Sequence, residues 1–426
     1  MSDATPRPGT RRILATRHAL VRMTGRSATE SHRVATPLEL FYDLTIVVAF
    51  SFAGEEFAHQ LAEGHLAQGL VAFVFAMFAV VWAWMSYTRF ATAYDTDDWF
   101  VRLAVLVQMV GVVVLALGIP TMFEGMAEWH VETGTMVLGY VIMRIPLVAL
   151  WARAAAQDPE HRRTSVSMAV GIAITQVAWV VLVLADPPIG IWFAIGFVLF
   201  LAEVGLPTIA QRARGWLPWH PHHLAERYGL LAIIAFGEVI LGTTIAVRAL
   251  VEEQGVTVDA ITLGFAGVAL TFGLWWTYFM LPTGELLEAF PRRATAYTAG
   301  QMVVYPAIAA VGAGLHVVAL AFEHHVEIPE VAVMATIAVP LLVVLLAAYG
   351  LYGVVLGREG ADPLHILLRS LSVLVVAVSL VMAWAGASLV ACLLVIMFTP
   401  WVSVVTYEAV GHRHVQESLD RVLARR

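Results

Sequence analysis

Apolar runs recur from one end of the chain to the other. They fall at roughly 37–58, 66–89, 99–120, 133–153, 165–185 and 189–210, and again at roughly 225–247, 259–281, 296–322, 330–356, 365–384 and 387–408. A helix of about 20 residues crosses the ~30 Å hydrocarbon layer of a bilayer. Inside that layer each backbone N–H and C=O must be satisfied within the segment, which a helix does and an isolated strand does not. The pattern therefore predicts an all-α polytopic membrane protein with about twelve transmembrane helices, its main partner being the lipid bilayer.

Composition strengthens this reading. Of 426 residues, 60% are hydrophobic and 13% charged, against ~25% charged in soluble domains, and the mean hydropathy is +0.79. The single cysteine, Cys392, lies in an apolar run, which excludes an internal disulfide and a cysteine-based metal site. The placement of charge says more than the net −7. With the N-terminus inside, the inner loops take Arg89 and Arg102, then Arg153, Arg162 and Arg163, then Arg212 and Arg214. Arg292, Arg293 and Arg358 follow in later inner loops, and Arg413, Arg421, Arg425 and Arg426 in the tail. The outer loops are acidic, with Glu55, Glu56, Glu63, Glu124, Glu128, Glu132, Asp186, Glu323, Glu327 and Glu330; Arg248 is the one basic residue placed outside. This asymmetry predicts both termini in the cytoplasm. Residues 1–35 hold seven Arg and read as a basic cytoplasmic tail without a signal peptide. Within it, 13–23 could also form a short surface helix on anionic lipid.

The chain reads as duplicated. Glu39-Leu-Phe41 resembles Glu226-Arg-Tyr228, Trp84 resembles Trp276, and Gln108-Met109-Val110 recurs as Gln301-Met302-Val303, at offsets of 187, 192 and 193 residues. The expected organisation is a six-helix repeat over 36–210, a cytoplasmic linker over 211–224, a second repeat over 225–408 and a cytoplasmic tail over 409–426. An even number of spans per half leaves both halves pointing the same way, related by an axis along the membrane normal.

Ionisable residues inside such segments are costly and mark function or buried pairing. Thr36-Pro37-Leu38-Glu39 reads as a helix start, with Thr36 as N-cap and Glu39 closing a capping box. Asp43 follows one turn deeper on the same stripe. Two carboxylates so placed suit a proton or cation site, although neighbouring hydroxyls could equally satisfy Asp43. Glu226 and Arg227 open the seventh segment, and Glu238 lies twelve residues further on with no helix end to cap. Arg144 in the fourth segment and His316 in the ninth are candidate partners for it; Glu203 in the sixth and Arg369 in the eleventh complete the set. Each of these also has a plain reading as half of a structural salt bridge. Trp82, Trp84, Tyr87, Trp275, Trp276 and Tyr278 read first as an interfacial aromatic belt. The His-rich stretches at 220–223 and 323–325 match no usual zinc spacing, so no metal is expected. No phosphate loop, metalloprotease motif, nucleophile elbow or dinucleotide turn occurs in context, and no basic face points to nucleic acid. An enzyme and a bound cofactor are therefore not expected.

Three segments carry a family resemblance: ELFYDL at 39–44, WAWMSYTRFATAYDTDD at 82–98 followed by Arg102, and ERYGLLAIIAFGEVILG at 226–242. With LWWTYF at 274–279, they make the chain similar to the bacterial low temperature requirement protein A family. The resemblance implies a multi-pass protein of the bacterial inner membrane, connected with growth in the cold, and supplies no substrate. It leads to an acidic residue after Tyr278-Phe279, where this chain has Met280, so no carboxylate role carries over there. Phe41-Tyr-Asp43 is also faintly similar to the Phe-Ser-Asp near the start of the first helix of bacterial and lysosomal potassium channels. Three functions remain open. The first is a proton-linked secondary transporter or exporter of a small solute working through buried carboxylates. The second is an ion channel lined by the first and seventh helices. The third is a stress or scaffold protein whose buried charges specify packing. The chain could further associate as a homo-oligomer.

Overall fold

The computed structural model describes residues 20–26, 35–94, 96–356 and 363–411. Most of the Arg-rich N-terminal stretch, including 13–19 of the possible surface helix, lies outside these residues. So do Arg358 and most of the C-terminal tail. The described chain is all-helical, and twelve of its helical stretches are long and apolar enough to cross a membrane. They form α1 (Pro37–Ala62), α2 (Leu66–Ala93), α3 (Trp99–Leu117), α4 (Ile119–Ala127), α5 (Gly134–Gln157), α6 (Arg162–Ala185) and α7 (Ile189–Arg214). These are followed by α8 (Pro221–Gln254), α9 (Val258–Phe279), α10 (Thr283–Ala289), α11 (Ala294–Phe322), α12 (Glu330–Leu356), α13 (Pro363–Trp384), α14 (Leu389–Ile396) and α15 (Phe398–Thr406).

Local chemistry explains where these helices begin and break. The Thr36 N–H donates to the Glu39 carboxylate at 2.7 Å, and the Glu39 N–H donates back to Thr36 Oγ1 at 3.2 Å. This is the reciprocal box expected at the start of α1. Asp98 caps α3 by accepting from the Val101 N–H at 3.1 Å, and Thr257 caps α9 through the Ala260 N–H at 3.3 Å. One apolar span is divided between α3 and α4 at Gly118, just before Pro120; another breaks between α14 and α15, with Pro400 following in the new first turn. Apolar side chains also line outward faces, as Ile174, Val177, Val181 and Leu184 do along α6. Water would penalise such a stripe, and lipid does not.

The chain divides into two compact units: residues 1–49, 82–118 and 130–220, and residues 50–81, 119–129 and 221–426. In the first unit, α3 packs on α5, α5 on α6 and α6 on α7. The α3–α5 contact is close because glycines face it. A Cβ at Gly139 would stand 2.2 Å from the Leu115 nitrogen, and one at Gly111 would stand 2.8 Å from the Gly139 carbonyl oxygen. In the second unit α11 is the innermost helix, packed by α8 on one side and α12 on another. Its run Gly312-Ala313-Gly314 lets both neighbours come near. A Cβ at Gly312 would meet the Glu238 carbonyl oxygen at 2.6 Å, and one at Gly314 the Thr336 carbonyl oxygen at 2.5 Å. Small residues at helix crossings are how membrane bundles gain dispersion contact where no hydrophobic effect drives association.

Candidate functional site

Glu238 sits near the midpoint of α8, roughly 25 Å from either end at 1.5 Å per residue. Its residue is 8% exposed. The backbone there is pinned from the α11 side, where Gly242 and Gly312 allow the two helices to touch. Its side chain accepts a hydrogen bond from Ser51 Oγ of α1 at 2.8 Å. Among the described residues no Arg or His forms an ion pair with it. A buried carboxylate without a cation is a costly thing to keep, and in membrane proteins such groups lie on ion or proton paths more often than in packing.

The expected partners are elsewhere, and this corrects the sequence reading. Arg144 of α5 pairs with Glu203 of α7 at 3.1 Å. Glu203 is surrounded by donors: Tyr140 Oη at 2.6 Å, Trp179 Nε1 at 3.0 Å and Gln176 Nε2 at 3.4 Å. The Arg144 guanidinium also donates to the Tyr140 hydroxyl and lies 4.4 Å from its ring centroid. This is a buried ion pair, the plain reading that sequence had left open for both residues. His316 of α11 meets His59 of α1 edge to face, with ring centroids 5.6 Å apart, and among the described residues it forms no ion pair with Glu238.

Glu39 serves the helix start. Asp43, fully buried, accepts from Trp84 Nε1 at 2.6 Å. Trp82, Trp84 and Tyr87 are buried within the first unit and are not an interfacial belt. An indole N–H placed away from water needs an acceptor, and Asp43 supplies it; the Tyr87 ring packs 4.7 Å from Tyr42. In the other aromatic set only Trp275 is well exposed. Glu226 is half-buried and Arg227 fully buried near the start of α8. Arg369 is exposed, with its guanidinium 6.0 Å from the Tyr349 ring centroid.

Several groups escaped the sequence reading. Ser51 is a hydroxyl in an apolar run, with no charge to mark it. Tyr140, Gln176 and Trp179 look like ordinary helix residues until three helices meet. A second polar cluster, in the loops of the first unit, involves residues 20–26. The Val21 and Gly25 N–H groups donate to Asp98 and Asp158 at 3.2 and 3.0 Å, the Met23 N–H donates to Gln157 Oε1 at 2.8 Å, and the Met23 side chain is fully buried. Burial of Asp98 acts to raise its pKa, but hydrogen bonds from Arg153 and from the Val101 and Val21 N–H groups outweigh it and hold the carboxyl below its usual value. Asp158 behaves alike: burial is opposed by His161 and the Gly25 N–H, and the balance is a lowered pKa. Tyr94, which donates to Asp158 at 3.3 Å, is pushed up to about 12, chiefly by burial.

Twelve apolar spans, charges buried between helices, and glycine-mediated crossings define a polytopic helical membrane protein. Residues 34–399 match the family described as bacterial low temperature requirement A protein (LtrA). The chain belongs to that family. A protein of Rhizobium meliloti (strain 1021), itself described as uncharacterized, is 28% identical over 248 residues, which are 57% of this chain and 57% of that relative. No solved structure matches.

Proposed function

We propose that this chain is a proton-linked secondary transporter or exporter of a small solute in the bacterial inner membrane, with both termini cytoplasmic and Glu238 as its proton-carrying group. The carrying observation is the contrast between two buried acids. Glu203 has a guanidinium and three neutral donors, as a structural ion pair requires. Glu238, at mid-span, has a single hydroxyl among the described residues. A side chain kept for packing alone would be replaceable by an apolar one at no loss, since small-residue contacts already hold α8 to α11. A carboxylate that alternates between charged and neutral forms needs a partner that does not fix either one.

The test uses purified protein in liposomes containing a pH-sensitive dye, with a proton gradient imposed. Wild type is expected to move protons, and Glu238→Gln, which keeps shape and removes the titrating group, to lose at least ~10-fold of the rate. Loss of heat stability in the variant, with no proton movement in either protein, would instead support a scaffold. A flux that rises linearly with the driving gradient and is unaffected by the substitution would support a channel that does not use this group.

A further inference from the structure

Within the second unit one buried amide is left over. Gln301 of α11 is fully buried, and among the described residues neither its amide nitrogen nor its oxygen makes a hydrogen bond of ordinary geometry. Protein interiors seldom keep such a group unpaired, because it gives up water and gains nothing in return. Gln301 borders a cavity of about 20 Å³, walled by Tyr278 of α9, Thr283 of α10, Tyr297 of α11, and Leu351 and Tyr352 of α12. The hydroxyls nearby are of two kinds. Tyr305 donates to the Tyr228 carbonyl oxygen at 2.8 Å and Tyr352 to the Thr277 carbonyl oxygen, so both of those protons are taken. Tyr278 and Tyr297 stand 3.5 Å apart between hydroxyl oxygens, long against the ~2.7–2.8 Å usual for such a bond. The remaining hydrogen-bonding capacity therefore gathers on Gln301, Tyr278 and Tyr297, around the cavity.

We propose that these three residues bind a single buried water, and that this water is a proton station between Glu238 and the end of the bundle where α11 starts. The second part rests on the transport reading above; the first does not. The cavity has room for about one water. Its walls among the described residues carry no charge to offset the desolvation of an ion. Its polar groups call for a ligand that both donates and accepts, as water does. The position suits a station. Tyr297, Gln301 and Tyr305 follow at four-residue intervals on α11, and Gly312 continues their stripe. Gly312 is where α11 meets the Glu238 carbonyl oxygen, roughly 16 Å along the helix from Gln301. The Tyr278 ring packs on Phe236, two residues before Glu238, with centroids 6.3 Å apart. Water and the two hydroxyls can each pass a proton on, while Gln301 holds the water without titrating.

The experiment reads the water directly. An X-ray pulse splits bound water and oxidises the side chains beside it, and heavy-oxygen water mixed in beforehand reports how fast that water exchanges. In the purified full chain, Tyr297 should be oxidised above Tyr140, a buried tyrosine whose hydroxyl is occupied by Glu203 and Arg144. Its heavy-oxygen uptake should lag that at exposed Trp275. This measurement needs no variant to fold. Gln301→Leu, which removes both amide atoms, should abolish the excess oxidation and lower proton flux in liposomes by at least ~10-fold. Oxidation of Tyr297 no higher than that of Tyr140, or an excess that survives Gln301→Leu, overturns the water site. Excess oxidation in a wild type that moves no protons leaves the site standing and refutes the transport reading. Wild-type flux that Gln301→Leu leaves intact refutes the station and spares that reading.

Discussion

Two buried glutamates, Glu203 and Glu238, show how much meaning an acid takes from its neighbours. Arg144→Met would strand Glu203 among three neutral donors. It should cost about 3–5 kcal/mol, as breaking one side of a buried pair does, read as a fall in the thermal midpoint in detergent. Little change there would mean that the pair is not the structural element described. Trp84→Phe should cost about 1–3 kcal/mol, because it removes a hydrogen bond to the fully buried Asp43. Glu238→Gln should change stability by less than about 1 kcal/mol, since the amide still accepts from Ser51. Every one of these charges was visible in the sequence. Which of them pair was not, because helix adjacency is a property of three-dimensional packing. Arg144 and Glu203 are 59 positions apart on helices two spans removed, and nothing local ties them. Trp84 was visible but misread, because an aromatic near a span end looks the same whether it faces lipid or an internal carboxylate.

The helices themselves were the most legible level. Their existence follows from apolar runs of spanning length, and the α1 start from Thr36 and Glu39, whose reciprocal bonds are local. Crossings were less legible, because a glycine's meaning depends on what faces it. Gly312 abuts the Glu238 carbonyl oxygen, while Gly350 has open space where a Cβ would go. Gly312→Ala should therefore push α11 from α8, destabilise by about 1–3 kcal/mol, and reduce proton flux through the displaced Glu238. Gly350→Ala should be neutral or stabilise by about 0.5–1 kcal/mol, since it only improves helix propensity. Parallel denaturation of the two variants checks this; equal effects would contradict the close crossing.

At the scale of the molecule, twelve spans and the family were readable, the first from hydropathy and the second from the stretches at 39–44, 82–98 and 226–242. The docking of residues 20–26 was not, since the apolar positions of 13–23 read as a surface helix on lipid and not as a segment that buries Met23 in the protein. Its hold depends on two carboxylates with lowered pKa values, so the sign is fixed. The stabilisation is present above the ordinary carboxyl value of about 3.9 and is lost as pH falls below it through the folded-state value. Hydrogen exchange should accordingly show the Val21, Met23 and Gly25 amides protected at neutral pH and released in acid; protection unchanged by acid would refute the role of Asp98 and Asp158. The proposed transport function rests on Glu238. The sharpest measurement is the current recorded when a pH step is applied to proteoliposomes on a solid-supported membrane. Wild type should give a proton current that saturates with the size of the step, and Glu238→Gln none. Equal currents in the two proteins, or silence from folded wild type across a panel of small solutes, would contradict a proton-carrying role for this carboxylate.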